Sequence, residues 1–145
     1  MKIVIQRVLE ASVKVDQEIV GSINKGALLF VCFEKEDSED TLLKAVDKIE
    51  KLRIYEDDNG KMNHDLKSYG GEILSISQFT LSWNGAGGHR PSFEKSMSSQ
   101  EARLKYALFN RELRNRGFEV KEGVFGADMK VSLINDGPVT FCFDF

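Results

Sequence analysis

The run Ala27-Leu28-Leu29-Phe30-Val31-Cys32-Phe33 is apolar without interruption. A half-buried strand alternates apolar and polar residues, so an unbroken run of this length reads as a strand covered on both faces. Before it, Ile3, Ile5, Val13, Val15, Ile19 and Ile23 recur in broken alternation, which predicts further strands, with a tight reversal at Val15-Asp16-Gln17-Glu18-Ile19. After it the period changes. Leu42, Val46 and Ile49 fall at i, i+4 and i+7, with Leu43 widening the stripe, and Asp37 or Ser38 can cap the helix they predict. Arg53 to Glu56 reads as a short strand closed by Asp58-Asn59-Gly60. Gly70-Gly71 then releases the chain into a buried strand over Glu72 to Leu81, which ends in polar residues. The stretch Ser82 to Ser92 is glycine-rich and loop-like, and a second helix is predicted from about Ser99, with Ala102, Tyr106, Phe109 and Leu113 at helical spacing and Gly117 as its stop. Three short strands finish the chain: Phe118 to Val124, Met129 to Ile134 and Val139 to Phe143, the last two joined by Asn135-Asp136-Gly137-Pro138. Many strands and two main helices give an α+β fold, its sheets covered by helices on one side.

With 145 residues, 41% hydrophobic and 30% charged, the chain is expected to form a single domain over residues 1–145, too apolar for disorder and too interrupted by charge for a membrane span. Its start lacks the apolar run of a signal peptide, so a cytoplasmic protein with no membrane partner is expected. Cys32 and Cys142 each lie in an apolar run, as reduced core thiols do. The net charge of -3 argues against a nucleic-acid partner on the usual rule. Charge is segregated, however. Glu34 to Asp58 holds ten acidic against five basic residues, and Ala86 to Arg116 holds seven basic against three acidic, so an acidic chain can still present a basic face.

The histidines, His64 and His89, have no Cys, Asp or second His at metal-ligand spacing, which argues against a zinc site; no metal and no cofactor are expected. His89 sits beside Arg90 in the glycine loop, where a solvated loop histidine is the simpler reading. Gly85-Ala86-Gly87-Gly88 lacks both the Gly-Lys-Ser/Thr of a P-loop and the Gly-x-Gly-x-x-Gly of a dinucleotide fold. Two segments carry more. In Ser77-Gln78-Phe79-Thr80-Leu81 a hydrogen-bonding cluster closes an apolar strand just before a flexible basic loop, a place where binding groups collect; a capped strand end is the plainer alternative. Asn135-Asp136-Gly137-Pro138-Val139-Thr140 reads as a hairpin turn, or as a Gly-Pro bond held cis, which would turn two carbonyls to one side as an acceptor site for an ammonium group.

At these segments the chain resembles the D-aminoacyl-tRNA deacylases, first named for D-tyrosyl-tRNA. The resemblance spans nearly the whole chain: Ile5-Gln6-Arg7-Val8, Ala11-Ser12-Val13, Gly60-Lys61-Met62-Asn63, Ser77-Gln78-Phe79-Thr80-Leu81, Arg90-Pro91-Ser92-Phe93 and Asn135-Asp136-Gly137-Pro138-Val139-Thr140. It departs from the family in Trp83 to Gly88 and at Cys142.

The resemblance implies a homodimer of three-layer β/β/α subunits, with mixed and antiparallel sheets and active sites at the subunit interface. It also implies hydrolysis of the ester of D-aminoacyl-tRNA, and of misacylated glycyl-tRNA. Gly137-Pro138 corresponds to the family's cross-subunit Gly-cisPro element, which rejects L-aminoacyl groups sterically, and Arg7 is expected to brace it. Backbone N–H groups of Phe79 and Thr80, with Ser77 and Gln78 shaping the strand end, are expected to hold the oxyanion. Water activation falls to the 2′-OH of the terminal adenosine, or alternatively Thr80 Oγ1 acts as nucleophile. The adenosine is expected against Ala102, with Arg90, Lys95, Arg103 and Lys105 as phosphate contacts to the acceptor end of tRNA. Two rivals remain: a same-fold enzyme editing another mischarged tRNA, such as L-alanine on threonine tRNA, and a catalytically idle RNA-binding module.

Overall fold

A computed structural model describes residues 1–145. Strand β1 (Lys2–Val15) reverses at Asp16 and Gln17, whose φ values of 48° and 70° are those of a two-residue hairpin turn matched to strand twist. Strands β2 (Glu18–Ile23) and β3 (Gly26–Cys32) run back along one edge of β1 as a nearly continuous antiparallel partner, from Val15 opposite Glu18 to Lys2 opposite Cys32. Helix α1 (Glu39–Lys51) starts at Ser38, whose side chain accepts from Thr41 N while Thr41 Oγ1 caps back onto Ser38 N. A hairpin of β4 (Arg53–Glu56) and β5 (Met62–Asp65) leads through the single turn of α2 (Leu66–Tyr69) into β6 (Glu72–Ser77), which lies parallel to β3. Helix α3 (Ser99–Asn115) is capped by the Ser98 side chain, and β7 (Val120–Glu122) adds parallel to β6. Last, β8 (Lys130–Asp144) pairs antiparallel with the other edge of β1. The main sheet is therefore mixed, in the order β2-β1-β3-β6-β7, with β8 beside β1.

The apolar run is two-sided because β3 is buried on both faces. Ala27, Leu29 and Val31 join α1 (Leu42, Val46, Ile49) and α3 (Tyr106, Phe109, Leu113) in one core of 22 buried residues. Leu28 belongs to a second core with Val8, Val13, Ile23, Leu74 and Ile76, covered by Met129, Val131 and Leu133. That cover is the sheet itself, rolled until β2 lies on β6 and β7. A Cβ on Gly21 would stand 2.8 Å from Glu122 O and 3.3 Å from Leu74 Cδ1, so the closure needs glycine there. The layers are thus helix, sheet and rolled-over sheet, the β/β/α arrangement expected. No helix is long and apolar enough to cross a membrane.

Three expectations change. Cys142, expected as a core thiol like Cys32, is exposed on β8. Met129 to Ile134 and Val139 to Phe143 are not two strands joined by a reversal. Residues 130–144 form one strand, both halves running antiparallel to β1, with the register slipping between the pairs Gln6–Thr140 and Val8–Asn135. Residues 136–138 are extruded there as a bulge. The predicted strand over Glu72 to Leu81 also stops at Ser77. Gln78 N donates to Val31 O at 2.8 Å as the last rung, after which β3 has no further carbonyl to offer, since Phe33 O accepts from Met97 N. Phe79–Ser82 then winds into a 3-10 turn.

Candidate functional site

The strand ends Val31–Phe33 and Ile76–Phe79, the start of α3 (Ser99, Ala102), Ser96 and Met97, and the segment Phe125–Met129 with Val131 enclose a cavity of about 520 Å³. Ser77, Gln78, Phe79 and Ala102 all line it, and Thr80 does not. Cys32, Met97, Phe125 and Met129 also line it; nothing in the local sequence marks them, because they come from three separate segments. Burial, with the negative charge of Glu34 adding to it, pushes the Cys32 thiol up to about 11, so it is a neutral wall group at neutral pH. Asp128, the one carboxylate in the lining, is exposed and paired at 2.8 Å with Lys130, and neither His64 nor His89 reaches the cavity. No lining side chain is set up as a general base.

Phe79 and Thr80 open the 3-10 turn; Phe79 lines the cavity and Thr80, next to it, does not. N–H groups in the first turn of a helix have no carbonyl one turn earlier to bond, so these two are free for an acceptor from outside the chain. Thr80 Oγ1 accepts from Gln78 Nε2 at 2.5 Å. A hydroxyl activated as a nucleophile needs a neighbour that takes its proton, and the amide N–H is a donor.

Arg7, Gly137 and Pro138 form a second cluster. Arg7 is only 4% exposed. Its Nε donates to Asp136 O at 3.1 Å and lies 3.1 Å from Asp136 Oδ2, its Nη1 donates to Ile54 O at 2.8 Å, and its Nη2 lies 3.4 Å from Glu56 Oε1. On the other side of the bulge Asn135 Oδ1 accepts from Val139 N at 2.7 Å, and Asn135 Nδ2 donates to Thr140 Oγ1. Gly137 has φ 130°, and a Cβ there would stand 2.7 Å from Val139 Cγ2 and 3.3 Å from Arg7 Nη2, so only glycine fits. The Gly137–Pro138 peptide is cis. This cluster is not at the cavity. Arg7 pairs with Ala27, whereas the cavity begins at Val31, four residues further along β3 or about 13 Å.

None of Arg90, Lys95, Arg103 and Lys105 forms an ion pair within the chain. Arg103 is beside the cavity: its guanidinium lies 5.0 Å from the Phe125 ring, and Nη2 donates to Phe125 O at 3.4 Å. Lys105, two residues on, leaves α3 on a nearly opposite flank, so these two cations do not form one patch. Arg90 stands exposed in the glycine loop and Lys95 precedes α3.

The sequence profile of the family described as D-Tyr-tRNA(Tyr) deacylase matches residues 4–144. D-aminoacyl-tRNA deacylases of Lactobacillus gasseri and Bacillus pumilus are 51% and 48% identical over 144 residues, 99% of this chain and 99% and 98% of theirs. Among solved structures, one described as c-Myc DNA Unwinding Element Binding Protein superposes with a TM-score of 0.94 at 37% identity, over 100% of this chain and 99% of its own. Another, described as a probable eukaryotic D-amino acid tRNA deacylase, gives 0.85 at 17% identity over 99% and 98%, a likeness of fold.

Proposed function

The chain belongs to the D-Tyr-tRNA(Tyr) deacylase family and hydrolyses D-aminoacyl-tRNA to D-amino acid and tRNA; on that premise we propose how its residues share the reaction. The observation that carries the reading is the pair of unbonded N–H groups, Phe79 and Thr80, that open the 3-10 turn where Phe79 lines a cavity that Ala102 also lines. The terminal adenosine lies against Ala102 and the ester carbonyl faces the 3-10 turn. Water adds to the carbonyl carbon, and the two N–H groups hold the resulting oxyanion, a contribution of roughly 10²–10³ in rate for one such donor. Ser77 and Gln78 fix the strand end that aims them. The bond to the ribose oxygen then breaks, and the proton lost by water reaches that oxygen through the neighbouring 2′-OH of the RNA. Thr80 Oγ1, facing an amide donor, takes no covalent part.

Chiral selection comes from a second copy of the chain. The Asp136–Val139 bulge is about 13 Å along the strands from its own cavity, so it serves the cavity of a partner subunit. Leu9, Ile134 and Phe141 of β1 and β8 are exposed apolar side chains near the bulge that the partner covers. Gly137 and Pro138 then leave no room for an L side chain, while D residues and glycine fit, so specificity is rejection of the wrong hand. Arg7 positions that element. Arg103, beside the cavity, meets a phosphate of the acceptor end with Arg90 and Lys95, while Lys105, on the other flank of α3, reaches the RNA separately; the work is cytoplasmic, done by one domain per subunit.

The test uses D-tyrosyl-, L-tyrosyl- and glycyl-tRNA. Thr80→Ala retains turnover within about tenfold of the parent, whereas a tRNA ending in 2′-deoxyadenosine is hydrolysed at least about a hundredfold more slowly. Near-complete loss of activity in Thr80→Ala would restore the nucleophile, and a monomer by sedimentation would remove the cross-subunit element. Faster release of L-alanine from threonine tRNA than of D-tyrosine would favour the other editing activity.

A further inference from the structure

One exposed aromatic group is left unused by this reading, although the inference drawn from it rests on that reading. Trp83, the only tryptophan of the chain, follows the 3-10 turn directly and is 38% exposed. At about 2 Å per residue along such a turn, it lies roughly 8 Å from Phe79 at the cavity rim. Its indole is held by its edge: Nε1 donates to Ala86 O at 3.3 Å, and Ala86 N donates to Asn84 Oδ1 at 3.0 Å. Gly85 and Gly87, with φ of 77° and 87°, let the loop close back on that edge, and no other aromatic ring stacks on the indole. Phe79 is 57% exposed and meets Phe93 edge-to-face at 5.0 Å, so the aromatic surface is continuous with the cavity wall.

Along the chain, the stretch that carries Phe79 and Trp83 is free of negative charge, and the next carboxylate is Glu94, after Phe93. From Ile73 through Phe93 the chain holds no Asp or Glu, and its one formal charge is Arg90, which has no partner within the chain. Aromatic faces on a stretch whose one charge is an unpaired cation suit a single-stranded polyanion with flat bases. An apolar peptide would gain nothing from the cation, and an acidic peptide would leave the rings unused.

We propose that Trp83, with the Phe79–Phe93 pair, is a stacking platform for the unpaired cytidines that precede the terminal adenosine of tRNA. The adenosine fills the cavity and the chain of bases leaves it over the 3-10 turn. This surface contributes to binding of the RNA and not to the chemical step, because it touches nothing at the ester.

A single tryptophan makes the test direct. The intact protein is titrated with the RNA trinucleotide CCA and, separately, with adenosine, reading Trp83 emission; binding of CCA is followed in parallel by the anisotropy of a 5′-labelled CCA. CCA quenches Trp83 saturably and adenosine does not. In steady-state deacylation of D-tyrosyl-tRNA, Trp83→Ala raises KM about tenfold with kcat unchanged, and Trp83→Phe restores most of the loss. The proposal is overturned if CCA binds with Trp83 emission unchanged, if CCA shows no binding at all, or if the KM of Trp83→Ala stays within about twofold of the parent. Failure of the functional reading is a separate result, absence of D-tyrosyl-tRNA hydrolysis by the parent protein, and the emission arm still decides the stacking site in that case.

Discussion

Replacing Arg7 tests the link between fold and selectivity, because one buried guanidinium fastens three separate parts of the chain: its own strand, β4 through Ile54 O and the β8 bulge through Asp136. In Arg7→Met a side chain of similar length keeps the packing and removes every donor. The bond to Ile54 O is buried, and a hydrogen bond from a charged donor is worth roughly 1.5–3 kcal/mol there. Asp136 O is partly open to water and counts for about half of that. The ion pairs add little, because Glu56 is 56% and Asp136 32% exposed and solvent screens both. The expected loss is about 2–4 kcal/mol, which for a chain of this length lowers the melting temperature by roughly 6–12 °C. Circular dichroism gives the melt. Deacylation of D- and L-tyrosyl-tRNA at about 15 °C, well below it, separates stability from selectivity, and the L substrate should gain on the D substrate as the bulge loosens. Arg7→Lys should fall between the two, since one ammonium cannot span carbonyls on both sides of β1. A melt within about 2 °C of the parent, together with an unchanged D/L ratio, would refute the reasoning.

Three other expectations are open to simple measurement. With its thiol at about 11, Cys32 is about a thousandfold under-ionised at pH 8, so iodoacetamide should leave it unmodified in the folded protein by mass spectrometry, and Cys32→Ala should keep its kcat. Gly21→Ala places a Cβ 2.8 Å from the backbone oxygen of Glu122 and should cost about 1–3 kcal/mol in urea unfolding; an unchanged midpoint would mean the sheet is not closed there. Reversing Arg90 and Arg103 together should reduce the slope of log K against log salt for tRNA binding by about 1.4–1.8, and an unchanged slope would remove them from the phosphate path.

What was legible in the sequence is what local chemistry determines. The reversal at Asp16–Gln17, the Ser38 cap, the two helical stripes and the two-sided strand β3 all follow from spacing within a few residues. The β8 bulge was not legible, because Asn-Asp-Gly-Pro is good turn chemistry and the group that turns it into a bulge, Arg7, lies 129 residues away. The same is true of the strand whose pattern predicts its course to Leu81. Its apolar pattern continues, and it stops because the partner strand runs out of carbonyls at Val31. The motif residues of the cavity were readable as a segment. Its other wall, Phe125 and Met129 against Cys32 and Met97, exists only once the sheet has rolled.

The acidic balance of the chain finds its explanation in the same long-range pairing. Within the acidic segment Asp40 and Asp47 are met by Lys44 and Lys51 one turn on, while Glu34, Glu50 and Glu56 draw Lys2, Arg116 and Arg7 from elsewhere. Arg90, Lys95, Arg103 and Lys105 are left out of that pairing. A net charge of -3 thus describes a chain whose acidic residues are partly neutralised at home while these cations keep their charge for a partner. On the proposed function, such a surface repels RNA at long range and attracts it only at the separate points where these cations stand, which favours brief contact with an acceptor end over tight wrapping of a whole tRNA.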